Sequence, residues 1–145
     1  MPTINRSALV PYEPEKLYAL VDDIQSYPEF LPWCVEAKEL SRDEDEVVAT
    51  IALAKGSLKK SFTTRNRLKQ GKMIEMRLVD GPFKHLQGFW RFDALKSDAC
   101  KVALDLEYEF SSKVVALAIG PVFNQVANTL VDAFVERARE IYRDG

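Results

Sequence analysis

The sequence predicts an α+β fold in which a curved antiparallel sheet is covered by one long C-terminal helix. Two patterns support this prediction. Residues 35–110 form short alternating segments separated by turn residues, which is typical of consecutive antiparallel strands. Residues 121–142 instead place apolar side chains at helical spacing. No repeat and no Pro/Gly/Ser-rich linker interrupts the 145 residues, so we predict a single domain over 1–145.

The N-terminal region is predicted to contain one strand and one short helix. Residues 3–10 alternate in polarity and end at Pro11-Tyr12-Glu13-Pro14. Pro14 suits a first helical position, and the apolar spacing beyond it predicts a helix from 15 to about 23. Residues 27–34 follow and contain two prolines, which exclude a continuous helix. They are rich in large apolar groups, so we expect a loop that packs on another part of the chain.

Six further strands are predicted to form a meander. Each ends at a cluster of turn residues, such as Gly56-Ser57 or Asp80-Gly81-Pro82. The first strand, at 3–10, would complete a seven-stranded sheet. The six predicted strands are 35–40, 46–55, 58–68, 73–79, 86–95 and 100–110.

The alternation within these strands predicts which face of the sheet is buried. Ile74, Met76 and Leu78 share one side of their strand, whereas Glu75 and Arg77 share the other. Other strands repeat this pattern, so one face is apolar and the opposite face carries charges of both signs. A solvated outer face with cross-strand ion pairs is the simplest interpretation of the charged side.

The C-terminal helix is predicted to run from Pro121 to about Tyr142. Phe123, Ala127, Leu130 and Phe134 lie on one apolar stripe of this helix. The stripe is wide enough to cover the concave face of a strongly twisted sheet. Arg137 falls within the stripe, so we expect its aliphatic stem to pack there while its charged head reaches water.

A single helix on a curved sheet often leaves space between the two layers, which predicts an apolar ligand pocket. The pocket residues follow from the inner face of the strands, the helix stripe and the apolar loops. Asn66 alternates onto the inner face together with Thr64, where it either bonds a ligand head group or satisfies buried polar atoms. The predicted lining is Phe30, Leu31, Trp33, Phe62, Asn66, Met76, Leu78, Phe83, Trp90, Leu104, Leu106, Tyr108, Phe123, Ala127, Leu130 and Phe134.

Three apolar segments are predicted to be loops around the mouth of this pocket: residues 27–33, 81–83 and 114–119. They allow two interpretations. The loops form a lid that contacts a lipid or a partner, or they pack down and close the core. The sequence does not distinguish these alternatives.

No catalytic or metal-binding pattern is present in the sequence. His85 is the only histidine, and it is predicted to lie in a turn or on the surface without a nucleophile and an orienting acid. Cys34 and Cys100 have no metal-ligand spacing, which favours reduced structural thiols. We therefore predict no metal, no required cofactor and no enzymatic activity.

Composition and charge narrow the class of protein further. The chain is 47% hydrophobic and 29% charged, which excludes a disordered chain. The net charge of −2 does not indicate a nucleic-acid-binding protein as a whole. No signal peptide or bilayer-spanning segment is predicted, which favours a cytoplasmic protein. A local basic cluster could nevertheless contact anionic lipid or ribosomal RNA, and its residues are Lys59, Lys60, Arg65, Arg67 and Lys69.

Several strings in the sequence carry a resemblance to a known family. The most specific is Tyr-Pro-Glu-Phe-Leu-Pro-Trp-Cys at 27–34, and it is supported in order by residues 5–12, 18–23, 61–66, 81–83, 86–92 and 120–124. The chain resembles the coenzyme Q-binding START-domain family of the polyketide cyclase/START-like superfamily, and within it the bacterial ribosome association toxin (RatA) branch. The resemblance covers nearly the whole chain and implies a helix-grip fold.

This resemblance implies more than one function. The first interpretation is a non-enzymatic protein that binds ubiquinone or a related lipid and supports respiration, with peripheral contact to the inner membrane. The alternative is a toxin that binds the large ribosomal subunit, blocks subunit joining and has an antitoxin partner. Distant relatives suggest a cyclase or dehydrase using His85, Asn66 or Glu107, although Glu107 is predicted to point outward and no acid–base constellation is visible.

Overall fold

The computed structural model describes residues 3–142, which form one antiparallel sheet of seven strands with a long helix across it. This confirms the predicted fold class, a curved seven-stranded antiparallel sheet around a long C-terminal helix. A short helix and a 3₁₀ turn, Ile24–Glu29, separate the first two strands. The elements are β1 (Thr3–Val10), α1 (Pro14–Asp22), β2 (Cys34–Arg42), β3 (Glu46–Lys55), β4 (Leu58–Lys69), β5 (Met73–Asp80), β6 (Phe83–Lys96), β7 (Ala99–Phe110) and α2 (Lys113–Tyr142).

The strand order is β1-β7-β6-β5-β4-β3-β2, so only the first strand departs from a simple meander. β1 pairs with β7 in an unbroken register from Thr3 opposite Glu107 to Val10 opposite Cys100. β3 and β4 also pair without interruption. The β2–β3 register shifts twice, between Cys34 and Glu36 and again between Glu39 and Ser41. The sheet therefore has two free edges, β1 and the irregular β2.

Two of the tight turns depend on glycine. Gly56 has φ +61° in the β3–β4 turn, and Gly71 has φ +71° in the β4–β5 turn. Residues with a side chain disfavour this left-handed region, because their Cβ atom comes too close to the backbone carbonyl oxygen. Glycine has no Cβ and adopts the region readily. The turn glycines thus fix where these strands reverse, and the reversals fix which residues alternate onto the inner face.

The buried residues form two apolar clusters along α2. The larger cluster packs the C-terminal half of α2 against the sheet and α1, and it includes Phe134, Ala138, Trp90 and Leu17. The smaller cluster packs Phe123 against rings from the strand ends, including Phe83 and Tyr108. The candidate ligand cavity lies between these two clusters.

The start of α2 differs from the prediction. Residues 114–119 were expected to be a loop, with the helix starting at Pro121, but the helix begins at Lys113. Ser112 accounts for this start, because its hydroxyl accepts a hydrogen bond from the Val115 N–H at 3.2 Å. Pro121 lies inside the helix, where it lacks the N–H that would bond to the carbonyl of Leu117.

Other predicted loops are also more ordered than expected. The predicted loop at 27–34 begins inside the 3₁₀ turn, which tolerates Pro28, and ends at Cys34, the first residue of β2. Phe83 was expected in a loop at the mouth, yet it starts β6 and is buried. His85 also lies in β6, not in a turn, and it is half-buried. β6 starts earlier than predicted because Phe83 pairs with Phe110 across a register shift.

Candidate ligand-binding cavity and basic surface

An apolar cavity lies between the inner face of the sheet and the middle of α2. Its volume is about 90 Å³. Strands β3 to β7 form its floor, and α2, the 3₁₀ turn and Trp33 form its roof. The lining residues are Ile24, Tyr27, Trp33, Ala49, Ile51, Phe62, Thr64, Asn66, Met76, Leu86, Trp90, Leu104, Leu106, Phe123, Val126, Ala127 and Leu130.

The structure brings ten of the sixteen predicted pocket residues to this cavity. They come from the Trp33 segment, from β4 to β7 and from the α2 stripe, because period-two and helical alternation place them on facing surfaces. These ten are Trp33, Phe62, Asn66, Met76, Trp90, Leu104, Leu106, Phe123, Ala127 and Leu130.

Six predicted residues lie elsewhere, mostly because aromatic side chains fill space instead of lining it. Phe30 packs against Phe134 with ring centroids 5.3 Å apart, and both rings belong to the larger cluster. Phe83 and Tyr108 pack on Phe123 in the smaller cluster. The two remaining residues are aliphatic: Leu31 lines an outer groove, and Leu78 packs against the smaller cluster.

Seven lining residues were absent from the predicted set. Ala49 and Ile51 alternate on β3 in the same way as Ile74 and Met76 on β5, so the strand periodicity could have identified them. Ile24 and Tyr27 carry no comparable signal, because a 3₁₀ turn with an internal proline has no simple sequence period. The remaining three are Thr64, Leu86 and Val126.

One wall of the cavity is polar. The Thr64 hydroxyl donates a hydrogen bond to Asn66 Oδ1 at 2.9 Å, and both side chains are buried on β4. The Tyr27 hydroxyl donates to the Val21 carbonyl, and burial raises the pKa of Tyr27 well above its usual value. Tyr27 therefore stays protonated. The Thr64–Asn66 pair is the place where the cavity can address a polar group of a ligand.

The mouth of the cavity is closed on the side of the Tyr27–Trp33 segment. Arg137 lies over the Phe30 ring at 4.8 Å from its centroid and forms an ion pair with Glu29 at 3.2 Å. These contacts fasten the segment to α2, and Leu31 is buried beneath it. Trp33 is half-buried and borders both the cavity and an outer groove of about 800 Å³. The segment thus packs down over the core, with Trp33 separating the cavity from the groove.

The predicted basic residues all lie on β4 but face different sides. Strand alternation places four of them on the outer face and Lys60 on the helix side, opposite Leu53. Arg77 of β5 pairs with Arg65 in register, so it extends the outer row. Glu46 partly neutralises the row through an ion pair with Arg65 at 3.2 Å. We call this outer row the basic strand face, and it comprises Lys59, Arg65, Arg67, Lys69 and Arg77.

The titratable groups considered for catalysis do not converge. His85 Nε2 lies 3.5 Å from Glu107 Oε1, and strand alternation places both on the outer face of the sheet. Asn66 lies on the opposite, inner face. Cys34 and Cys100 are free and buried, and burial raises the pKa of each thiol to about 11. Within residues 3–142, no group of three or more His, Cys, Asp or Glu side chains is placed to hold a metal ion.

Residues 10–135 match the family described as polyketide cyclase / dehydrase and lipid transport. The chain belongs to this family. Proteins named ribosome association toxin RatA are close relatives. The one from Pseudomonas aeruginosa is 49% identical over 139 residues, which cover 96% of each chain. The one from Escherichia coli is 46% identical over 142 residues, which cover 98% of this chain and 90% of that relative.

A more distant relative has a different name. The mitochondrial coenzyme Q-binding protein COQ10 from Dictyostelium discoideum is 27% identical over 135 residues, which cover 90% of this chain and 66% of that protein. Among solved structures, an 18 kDa protein from Caulobacter crescentus is 28% identical with a TM-score of 0.75, covering 98% of this chain and 99% of its own. An aromatase/cyclase from Streptomyces matches with a TM-score of 0.79 at 16% identity, covering 97% and 95%, and therefore shows the shared fold alone.

Proposed function

We propose that this chain is a ribosome association toxin of the RatA type, which binds the large ribosomal subunit and blocks its joining with the small subunit. The observation that carries the proposal is the end-to-end similarity of 49% and 46% to proteins with that name. In this proposal the protein acts in the cytoplasm, needs no cofactor and has an antitoxin partner. Ribosome binding, the alternative interpretation of the sequence, thus has more support than quinone binding, which was the first interpretation.

The basic strand face is the surface we propose for this contact. Lys59 and Lys69 lie ten residues apart on β4, so the row extends for roughly 33 Å. Row residues other than Arg65 and Arg77 have no ion pair among the described side chains. Arginine and lysine in a row complement the phosphates of an RNA backbone, whose contacts are strongly salt-dependent.

The test is sedimentation of purified ribosomal subunits in a sucrose gradient, with and without added protein. The triple variant Lys59→Glu, Arg67→Glu, Lys69→Glu is expected to leave subunit joining intact at concentrations where the unmodified protein blocks it. The matched control is Lys38→Glu, Lys96→Glu, Lys101→Glu, which makes the same change in net charge at exposed positions outside the row. Equal inhibition by both triple variants would remove this face from the proposal, and no inhibition by the unmodified protein would remove the function.

A second candidate function is binding of an apolar ligand with one polar head group, such as a polyprenyl quinone. It is favoured by the apolar cavity with the Thr64–Asn66 pair on one wall. Pockets for small molecules usually measure roughly 300–1,000 Å³, well above the 90 Å³ here. Entry of a quinone ring therefore requires displacement of half-buried lining side chains, such as Trp33 and Leu130.

Organic extraction of the protein purified from its native host, followed by mass spectrometry, tests this second function. A quinone near one equivalent per chain is the expected result. Ala127→Phe would fill the cavity and abolish retention, whereas Ala118→Phe on the exposed side of the same helix would not. An extract without a dominant ligand would count against the function.

No arrangement of described side chains favours an enzymatic cyclase, because His85 and Glu107 lie on the face opposite the cavity.

A further inference from the structure

The first two turns of α2 expose apolar side chains to solvent. Val114 is 76% exposed and Leu117 is 81% exposed, although both belong to a regular helix. They are three residues apart and therefore share one side of the helix. We call residues 113–121 the helix tip.

The helix tip is held in place by its opposite side. Ile119 is 1% exposed, and a methyl group at Gly120 would lie 3.6 Å from the Phe110 ring. Ser112 caps the first turn. The apolar side chains are thus displayed by a fixed helix, so their exposure is a stable property of the surface. Adjacent large aliphatic side chains in water are unfavourable, and contiguous apolar patches are the kind of surface that marks an interaction site.

The charges near the helix tip are predominantly positive. The β3–β4 turn, the β5–β6 turn and the β7–α2 junction lie at the same end of the sheet, because antiparallel strands reverse there. Residues 55–60, 80–84 and 109–113 carry five lysines and only two acids, Asp80 and Glu109. The β2–β3 turn at the opposite end carries Asp43, Glu44 and Asp45.

Three of these lysines lie either on α2 itself or on the side of the sheet that faces it. Lys113 is the first residue of the helix tip. Lys55 Nζ lies 3.5 Å from Gln125 Oε1 on α2, and Lys60 is on the helix side of β4. Exposed aliphatic groups flanked by lysines match the boundary between acyl chains and anionic head groups of a bilayer. RNA is a poorer match, because it is recognised through phosphate contacts and aromatic stacking, neither of which uses Val or Leu.

We propose that the helix tip docks on an anionic lipid surface, with Val114 and Leu117 entering the head-group region and Lys55, Lys60 and Lys113 contacting the lipid phosphates. α2 is long and apolar enough to cross a bilayer, but Phe134 and Ala138 are fully buried against the sheet. The helix therefore lies on the surface through its tip and does not span. This contact is separate from the basic strand face, which lies on the other side of the sheet.

Vesicle flotation with the full chain tests the proposal. Phosphatidylcholine vesicles with and without phosphatidylglycerol are the probes. The unmodified protein is expected to float with the anionic vesicles and to remain below with the neutral ones. Val114→Ser, Leu117→Ser should weaken binding by about tenfold or more, because both side chains lose their gain on leaving water. A third variant replaces the lysines: Lys55→Gln, Lys60→Gln, Lys113→Gln. It should also weaken vesicle binding, and the loss should be larger at low salt than at high salt.

The matched control is Leu9→Ser, Leu95→Ser, since these leucines are 71% and 54% exposed at the opposite end of the sheet. It is expected to bind like the unmodified protein. All three variants change exposed positions, and an unchanged thermal midpoint would verify folding. Absence of flotation by the unmodified protein, or equal loss in the tip variant and the control, would overturn the proposal. Tip-dependent binding to ribosomal RNA without vesicle binding would overturn it as well, and subunit joining measured in parallel separates it from the ribosome proposal.

Discussion

The two halves of α2 bury their apolar residues to very different extents. In the C-terminal half, Phe134 and Ala138 are completely buried, and the back of the helix carries Asp132, Glu136 and Glu140. In the N-terminal half, Ile119 is buried but Leu117 is 81% exposed. The difference arises because residues 114–122 have no polar side chain, so the side facing away from the sheet is apolar too. The number of apolar residues in a helix segment therefore does not by itself predict how many are buried. Apolar residues are buried as a group only where the opposite side of the helix is polar and can face the solvent.

The largest expected effect comes from the C-terminal half. Phe134→Ala should lower the free energy of unfolding by about 3–5 kcal/mol, because the ring is buried among Tyr27, Phe30 and Trp90 at centroid distances of 5.3–5.4 Å. Leu117→Ala in the N-terminal half should change it by less than about 0.5 kcal/mol. Urea denaturation measures both. Similar losses of unfolding free energy in the two variants would contradict the difference in burial between the two halves of α2.

A smaller effect is expected where the 3₁₀ segment is fastened to α2. Arg137→Ala should cost about 1 kcal/mol, because the side chain is 17% exposed and contacts both Glu29 and the Phe30 ring. Arg139→Ala is the control. Both side chains of the Arg139–Glu136 ion pair are 64% exposed, so this pair should contribute almost nothing to stability. Thermal unfolding distinguishes the two, and a loss of the same size at Arg139 would contradict this role of Arg137.

A gain in stability is expected in the N-terminal half. Gly120→Ala adds a methyl group whose nearest neighbour is the Phe110 ring at 3.6 Å, an ordinary contact distance. Alanine is the better helix former by about 0.8–1 kcal/mol, so the variant should be more stable by up to that amount. Gly88→Ala is the opposite case, because its methyl group would lie 2.6 Å from the Asp105 carbonyl oxygen. Destabilisation by Gly120→Ala would show that this half is packed more tightly than the contacts indicate.

A substitution in the helix tip tests the same comparison through the accessibility of thiol groups, and it is expected to leave stability at neutral pH unchanged. Both native cysteines belong to the cluster beneath the C-terminal half, and burial raises the pKa of each to about 11. Leu117→Cys should therefore react with a thiol reagent at pH 8 much faster than Cys34 or Cys100.

Alkaline pH provides a second readout for the same thiols. Their pKa values are raised on folding, so their contribution to stability is complete below the unfolded value of 9 and declines as the pH rises from 9 towards 11. Urea denaturation at several pH values measures this decline. Replacing both cysteines by alanine should reduce it, and an unchanged decline in that variant would contradict the assignment to these thiols.

Most of the fold could be predicted because period-two alternation is clear in this chain. β1 and β3 have the predicted bounds, and the other strands differ from prediction by at most three residues at each end. The start of α2 was wrong, because Gly120-Pro121 suggested a helix N-terminus. The hydroxyl cap at Ser112 is instead the local signal that starts the helix.

The cavity was less predictable than the sheet. Alternation assigns a residue to the inner face, but it does not determine whether the side chain borders empty space or fills it. Tyr108 and Leu106 alternate on the same face of β7, yet only Leu106 lines the cavity. Tyr108 reaches across to α2, where its hydroxyl donates to Asn124. Such choices depend on the shape of facing side chains, which come from distant parts of the chain.

The pairing of β1 with β7 has a consequence for how the chain folds as it is synthesised. Asn5 and Asp105 face each other across one hundred residues, so at roughly 5–20 residues per second β1 waits about 5–20 s for its partner. Such nonlocal pairing also favours slow folding after release. Only Ile4 and Val10 of β1 are buried in the finished sheet, while its other side chains are exposed or half-buried. The wait of β1 therefore delays the core burial of only these two side chains.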